Sequence, residues 1–151
     1  MLRAIGAAVV GYIVALVLVF VGLTVLWIVL GPDGAFEPGG WDTSLTWNLV
    51  NPVIGLAAAI VAGWVCALIS PGGRSIAILV GLIVVLGALS AVSVMMKPEP
   101  TTPRVETVTM FEAMNAAQAP LWTVILNPIV GVIGVVIGGR LRGRPAAASA
   151  S

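Results

Sequence analysis

The sequence predicts an all-α integral membrane protein: a four-transmembrane-helix bundle built from two tandem helical hairpins, with both termini cytoplasmic. Three observations carry that prediction: a composition too apolar for water, four long runs free of acidic and basic residues, and one polar motif that occurs twice. Hydrophobic residues make up 60% of the chain and charged residues 9%, with a mean hydropathy of +1.14. A water-soluble domain carries about 25% charged residues, so the lipid bilayer is the first partner this chain requires. The chain reads as a single membrane domain, 1–151, multi-pass and, in a bacterium, of the cytoplasmic membrane.

The first span is expected over 4–30, a run long enough to cross the hydrocarbon core. Its apolar stretch is too long for a signal peptide and no small-residue cleavage site follows, so it reads as an uncleaved anchor. Ala7, Gly11 and Ala15 recur every fourth residue and share one face, where another helix can approach closely. Residues 31–42 hold Pro32, Pro38 and four glycines, a turn-building composition, and Asp33, Glu37 and Asp42 give the segment only negative charge. It is expected to be an exposed outer loop. Its carboxylates lack the alternate-residue spacing of a calcium loop, so no metal site is assigned to it.

The second span covers 43–70, with Asp42, Thr43 and Ser44 as N-cap candidates and Pro52 as an internal kink. Pro71, Gly72 and Gly73 end it, and the third span, 75–96, returns antiparallel after that tight turn. The Ser90 and Ser93 hydroxyls are expected to bond back to carbonyls one turn earlier. Residues 97–119 form the second outer loop. Within it, over 104–116, Val105, Val108, Phe111 and Met114 oppose Arg104, Glu106 and Glu112, the pattern of a short amphipathic helix in the headgroup region. The fourth span, 120–139, opens with Pro120 and ends at Arg140, Arg142 and Arg144. The hairpin halves are thus 1–70 and 71–151.

Orientation follows from the basic residues. Arg3, Arg74, Arg140, Arg142 and Arg144 fall at one end of a four-span chain, and only Lys97 and Arg104 at the other, so the arginine-rich end is expected in the cytoplasm. Trp27, Trp41, Trp47 and Trp122 lie near the outer ends of spans and Trp64 nearer the inner end, as an aromatic belt requires.

The residue inventory excludes much chemistry. Histidine is absent and Cys66 is the lone cysteine, a small buried hydrophobe rather than a redox or metal group. Without an acidic or basic residue inside a span there is no proton relay, no pair of intramembrane aspartates and no base to activate a serine. No catalytic residue, cofactor or metal site is assigned, nucleic acid is not a partner, and the chain is not expected to be an enzyme.

The repeated motif is Asn51-Pro52-Val53-Ile54-Gly55 and Asn127-Pro128-Ile129-Val130-Gly131, followed at matched spacing by Gly63 and Gly139. It suggests an internal duplication. Proline removes an amide and frees the carbonyl four residues earlier, on Asn48 and Val124. The candidate polar site, for helix packing or for a solute, is therefore Asn48, Asn51, Pro52, Asn127 and Pro128. Gly55, Ala59 and Gly63, and Gly131, Gly134 and Gly138, form small-residue stripes for helix packing. Asn51 and Asn127 are expected to hydrogen-bond across the interface of the second and fourth spans, a contact worth about 0.5–2 kcal/mol. The functional expectation is a non-catalytic helix-packing protein whose partner is a second copy or another membrane protein. The alternative is a passive channel or carrier for a small neutral or polar solute, lined by the Asn-Pro motifs.

Overall fold

The computed structural model describes residues 1–98, 100, 104 and 108–143. Among these the chain forms five helices: α1 (Leu2–Ala35), α2 (Leu45–Ile69), α3 (Gly73–Met95), α4 (Met110–Ala116) and α5 (Leu121–Gly143). All but α4 are long and apolar enough to cross a membrane. The tail after Gly143, including Arg144, lies outside the described residues, as do Glu99, 101–103 and 105–107.

Each helix ends where its sequence stops supplying partners. Gly31 adopts φ 64°, a left-handed conformation that glycine takes without penalty, and there α1 breaks, leaving a last turn begun by Pro32. The chain then folds back on itself. Ser44 caps α2 by accepting from the Trp47 amide at 3.2 Å, while its hydroxyl donates to the Gly34 carbonyl at 2.6 Å, which fixes the end of α1 to the start of α2. At the other end of α2 the Arg3 Nε donates to the Ile69 carbonyl at 3.0 Å, a cation on the carbonyl terminus of a helix. Gly72, at φ 125°, makes the turn into α3, and the Ser75 hydroxyl closes it with a 2.8 Å bond to the Ser70 carbonyl. In α3 the Ser93 hydroxyl bonds back to the Leu89 carbonyl at 3.0 Å, as expected.

The packing is built at backbone distance. Two ends can be distinguished: an arginine end, with Arg3, Ile69, Gly73 and Arg140, and an aromatic end, with Trp27, Trp41 and Trp47. Gly11 of α1 sits where three helices meet, and a Cβ there would lie 3.0 Å from the Ala62 carbonyl oxygen and 3.2 Å from both Cys66 Cβ and Leu79 Cδ2. The helices α2 and α5 run parallel. Gly134 faces Leu56 to Ile60, Gly138 faces Ile60 to Trp64, and Gly63 meets the backbone of Val135. On its other flank α5 packs antiparallel to α3, with Gly87 under the Pro128 ring, Gly131 against Ile83 and Gly139 against Ile76. The buried core is correspondingly small in side chain: Ala7, Ala8, Ala59, Cys66, Leu79 and Val135. Large side chains such as Phe20, Val85, Leu89 and Ile129 are exposed, as a lipid solvent allows.

One expectation about the stripes is corrected. A Cβ on Gly55 would meet nothing within 4 Å, so the close approach of α2 to α5 is made by Leu56, Ala59 and Ile60 and not by Gly55. Gly131 does pack against a neighbouring helix, at Ile83 of α3. The expected exposed loop at 31–42 is likewise partly core: Ala35 and Phe36 are buried, and Phe36 bridges to Thr43.

This packing predicts an asymmetry between glycines. Gly63→Ala or Gly138→Ala drives a methyl group into a neighbouring backbone, so each is expected to destabilise the protein by about 1–3 kcal/mol in a detergent unfolding titration. Gly55→Ala, with open space at its Cβ, is expected to be neutral or stabilising by up to about 1 kcal/mol. Equal effects at Gly55 and Gly138 would contradict the backbone contact.

Candidate functional site

The register of α2 against α5 decides what the twin motifs can do. The step from the middle of 56–60 to Gly134 equals the step from Asn51 to Asn127, so the two Asn-Pro elements stand at matched positions along two parallel helices. No hydrogen bond joins them. Neither carboxamide has a hydrogen-bond partner among the described residues; Asn51 is half-buried and Asn127 exposed. The expected bond across the interface is thereby corrected: the helices touch at the glycines deeper in the span. The prolines divide their roles. Pro52 is buried within α2's packed face, and Pro128 supplies its ring to the α3 contact at Gly87.

Asn48, proposed from sequence only for its freed carbonyl, is the buried asparagine, 4% exposed, and both functions of its amide are used locally. Its Nδ2 donates to the Thr43 carbonyl at 2.9 Å and its Oδ1 accepts from the Thr43 hydroxyl at 2.9 Å. This closed pair satisfies groups that would otherwise be costly to bury. The Thr43 amide in turn donates to the Gln118 carbonyl at 3.1 Å, and the Gln118 amide donates to Trp41 at 2.8 Å. Asn48 thus anchors the joint between the two loops.

That joint is one part of an ordered cap over the aromatic end. Trp27 stacks edge-on against Phe36 and Trp47, with centroids 6.2 and 6.4 Å apart, and Phe36 against Trp41 at 5.7 Å. Arg104 is buried over the Phe36 ring, 5.7 Å from its centroid, and its Nη2 donates to Asp33 at 2.9 Å. Among the described residues its Nε and Nη1 have no partner, and the same holds for the buried Thr123 hydroxyl at the start of α5. Lys97 reaches the Ala117 carbonyl at 2.8 Å, and burial lowers its pKa from the ordinary lysine value. The cap encloses an apolar cavity of about 80 Å³ between Phe20, Trp27, Phe36, Met110 and Ala113.

The short helix of the second loop differs from its sequence pattern. Over 104–116 only Met110–Ala116 is helical among the described residues, and it is Ala113 that packs inward while Phe111 and Met114 are exposed. A capping box sets its start: the Thr109 hydroxyl accepts from the Glu112 amide and the Glu112 carboxylate accepts from the Thr109 amide at 3.0 Å. The Thr109-x-x-Glu112 spacing carried that signal in the sequence.

Among the described residues no cluster of metal-ligating side chains exists. Three cavities, of about 870, 430 and 80 Å³, are lined by residues other than Asn51 and Asn127. Comparison with protein families, with curated proteins and with solved structures finds no match to this chain.

Two outcomes follow. Because no bond joins the twin asparagines, Asn51→Leu and Asn127→Leu are expected to be additive, with a coupling below about 0.5 kcal/mol in a double-mutant unfolding cycle. The Thr109 bonds lower the Glu112 pKa from its ordinary 4.5, so its contribution to the start of α4 is present above that value and lost as pH falls through the lower folded-state value. The protection factor of the Thr109 amide, taken against its intrinsic exchange rate, should therefore fall in acid, and Glu112→Ala should show the same loss at neutral pH while Glu112→Gln keeps protection.

Proposed function

We propose that this chain is a non-catalytic, multi-pass membrane protein that acts by helix packing, within itself and against a further membrane-embedded helix, from a second copy or another protein. The observation that carries this reading is the closure of the α2–α5 interface by backbone contact at Gly63, Gly134 and Gly138, which leaves no solute passage between these two helices. The four spans hold no acidic or basic side chain between their ends, which favours the absence of an enzymatic or proton-coupled role. Asn127 supports the outward half of the proposal: a carboxamide exposed on a span, with no partner among the described residues, gains most from a partner helix where water is absent.

The topology we assign has four spans with both termini cytoplasmic and the aromatic cap outside, from the concentration of arginines at the opposite end. The matched register of Asn51 and Asn127 on parallel helices supports an origin by duplication of a helical hairpin. The lipid bilayer is the environment, and the cytoplasmic membrane the location in a bacterium.

A second reading, a passive path for a small neutral solute, draws on the same unpartnered carboxamides, which would have to meet across copies of the chain to form a lumen. One pair of measurements separates the two. Cross-linking through cysteine at Asn127 in native membranes is expected to trap a dimer or a partner adduct, and the purified protein in proteoliposomes is expected to pass no small neutral solute. Solute flux abolished by either Asn→Leu change would overturn the packing reading. For topology, a cysteine at Gly39 is expected to react with impermeant reagent from outside and one at Arg74 only after permeabilisation.

A further inference from the structure

The arginine end carries a cleft of about 870 Å³ between the α2–α3 turn and the last turns of α5. Its floor is hydrocarbon, from Ile76, Val136 and Ile137, and its rim holds Arg140 and Arg142 beside Gly72 and Gly73. The volume falls in the ordinary range of small-molecule sites, about 300–1,000 Å³. A surface that is apolar below and cationic above, at the end of four membrane-spanning helices, has the profile of a phospholipid at the headgroup boundary.

Charge makes the cleft specific. Every aspartate and glutamate of the chain belongs to the segments 31–44 and 97–120, and among the described residues no acidic side chain lies beside the arginines at this end. Arg3 is used by the Ile69 carbonyl. Arg140 and Arg142 make no hydrogen bond or ion pair among the described residues, although they line a cavity. A retention signal alone needs positive charge, but it needs no cavity with an apolar floor under that charge. Gly72 also caps α3 without a side chain, which leaves the first amides of that helix without a side-chain cap.

We infer that this cleft binds an anionic phospholipid, with the phosphate held between Arg140 and Arg142 and an acyl chain laid over Ile76, Val136 and Ile137. The guanidinium groups give forked donors to phosphate oxygens, and a zwitterionic headgroup offers the same phosphate with its own cation competing for it. The site therefore discriminates by net headgroup charge.

The test is native mass spectrometry of the full chain released from mixed micelles holding equal phosphatidylglycerol and phosphatidylcholine. The unsubstituted protein is expected to retain phosphatidylglycerol in several-fold preference, and Arg140→Gln with Arg142→Gln to lower that preference roughly tenfold. Gly73→Leu keeps every charge and places a side chain into the cleft where a Cβ meets nothing within 4 Å, so it is expected to fold and to lose the retained lipid as well. Lys97→Gln, at the opposite end, is the control and is expected to leave the preference unchanged. Equal retention of the two lipids, or an undiminished preference in the arginine double variant, would overturn the site. A preference that survives Gly73→Leu would reduce it to surface attraction without a cleft, and full displacement of lipid by inorganic phosphate would make it a site for a soluble anion instead.

Discussion

The contact on which the rest of the structure depends is the one between the backbones of α2 and α5. Gly63, Gly134 and Gly138 present no side chain, and the carbonyls of Leu56, Ile60 and Val135 occupy the space a side chain would take. In water such an interface would be a poor core, since it buries little apolar side-chain area. In lipid the comparison changes, because a leucine gains nothing by moving from acyl chains into protein, while backbone approach multiplies dispersion contacts. The exposure of large residues and the burial of alanine, glycine and cysteine follow from that reversal of solvent.

With the middle of the α2–α5 interface closed, polarity is displaced to the two ends, and the ends are built differently. At the aromatic end the two loops are joined into one layer: Thr43, Asn48 and Gln118 exchange hydrogen bonds, Arg104 pairs with Asp33, and the rings of Trp27, Phe36, Trp41 and Trp47 fill what lies beneath. Polar groups there are largely satisfied within the chain. At the arginine end the opposite holds, with cations beside an apolar cleft and, among the described residues, no acidic side chain to answer them. The chain supplies its own partners at one end of its long helices and not at the other.

The twin asparagines show why a repeated motif need not be a pair. Their identical spacing to glycine invites the inference of mutual contact, and the helices that carry them are indeed neighbours in parallel register. Contact, however, depends on which face of each helix turns inward at that depth, and there the stripes diverge: Gly55 is in open space and Gly131 is turned to α3. Asn48, not part of the motif's matched residues, is the asparagine that is buried and fully bonded.

The sequence by itself determined the four apolar helices, because hydropathy and length act locally and the bilayer imposes the same requirement on every span. It determined the breaks too, at Gly31-Pro32 and at Pro71-Gly72. Only the tertiary structure decided which helix each glycine meets, that Phe36 and Arg104 pack as part of a cap, and that the amphipathic segment turns Ala113 inward and leaves Phe111 exposed. Those outcomes depend on crossing geometry and on contacts between residues such as Asp33 and Arg104 or Lys97 and Ala117, far apart in the chain or across a loop. Periodicity assigns a residue to a face, but the neighbour on that face is chosen by the packing of the whole chain.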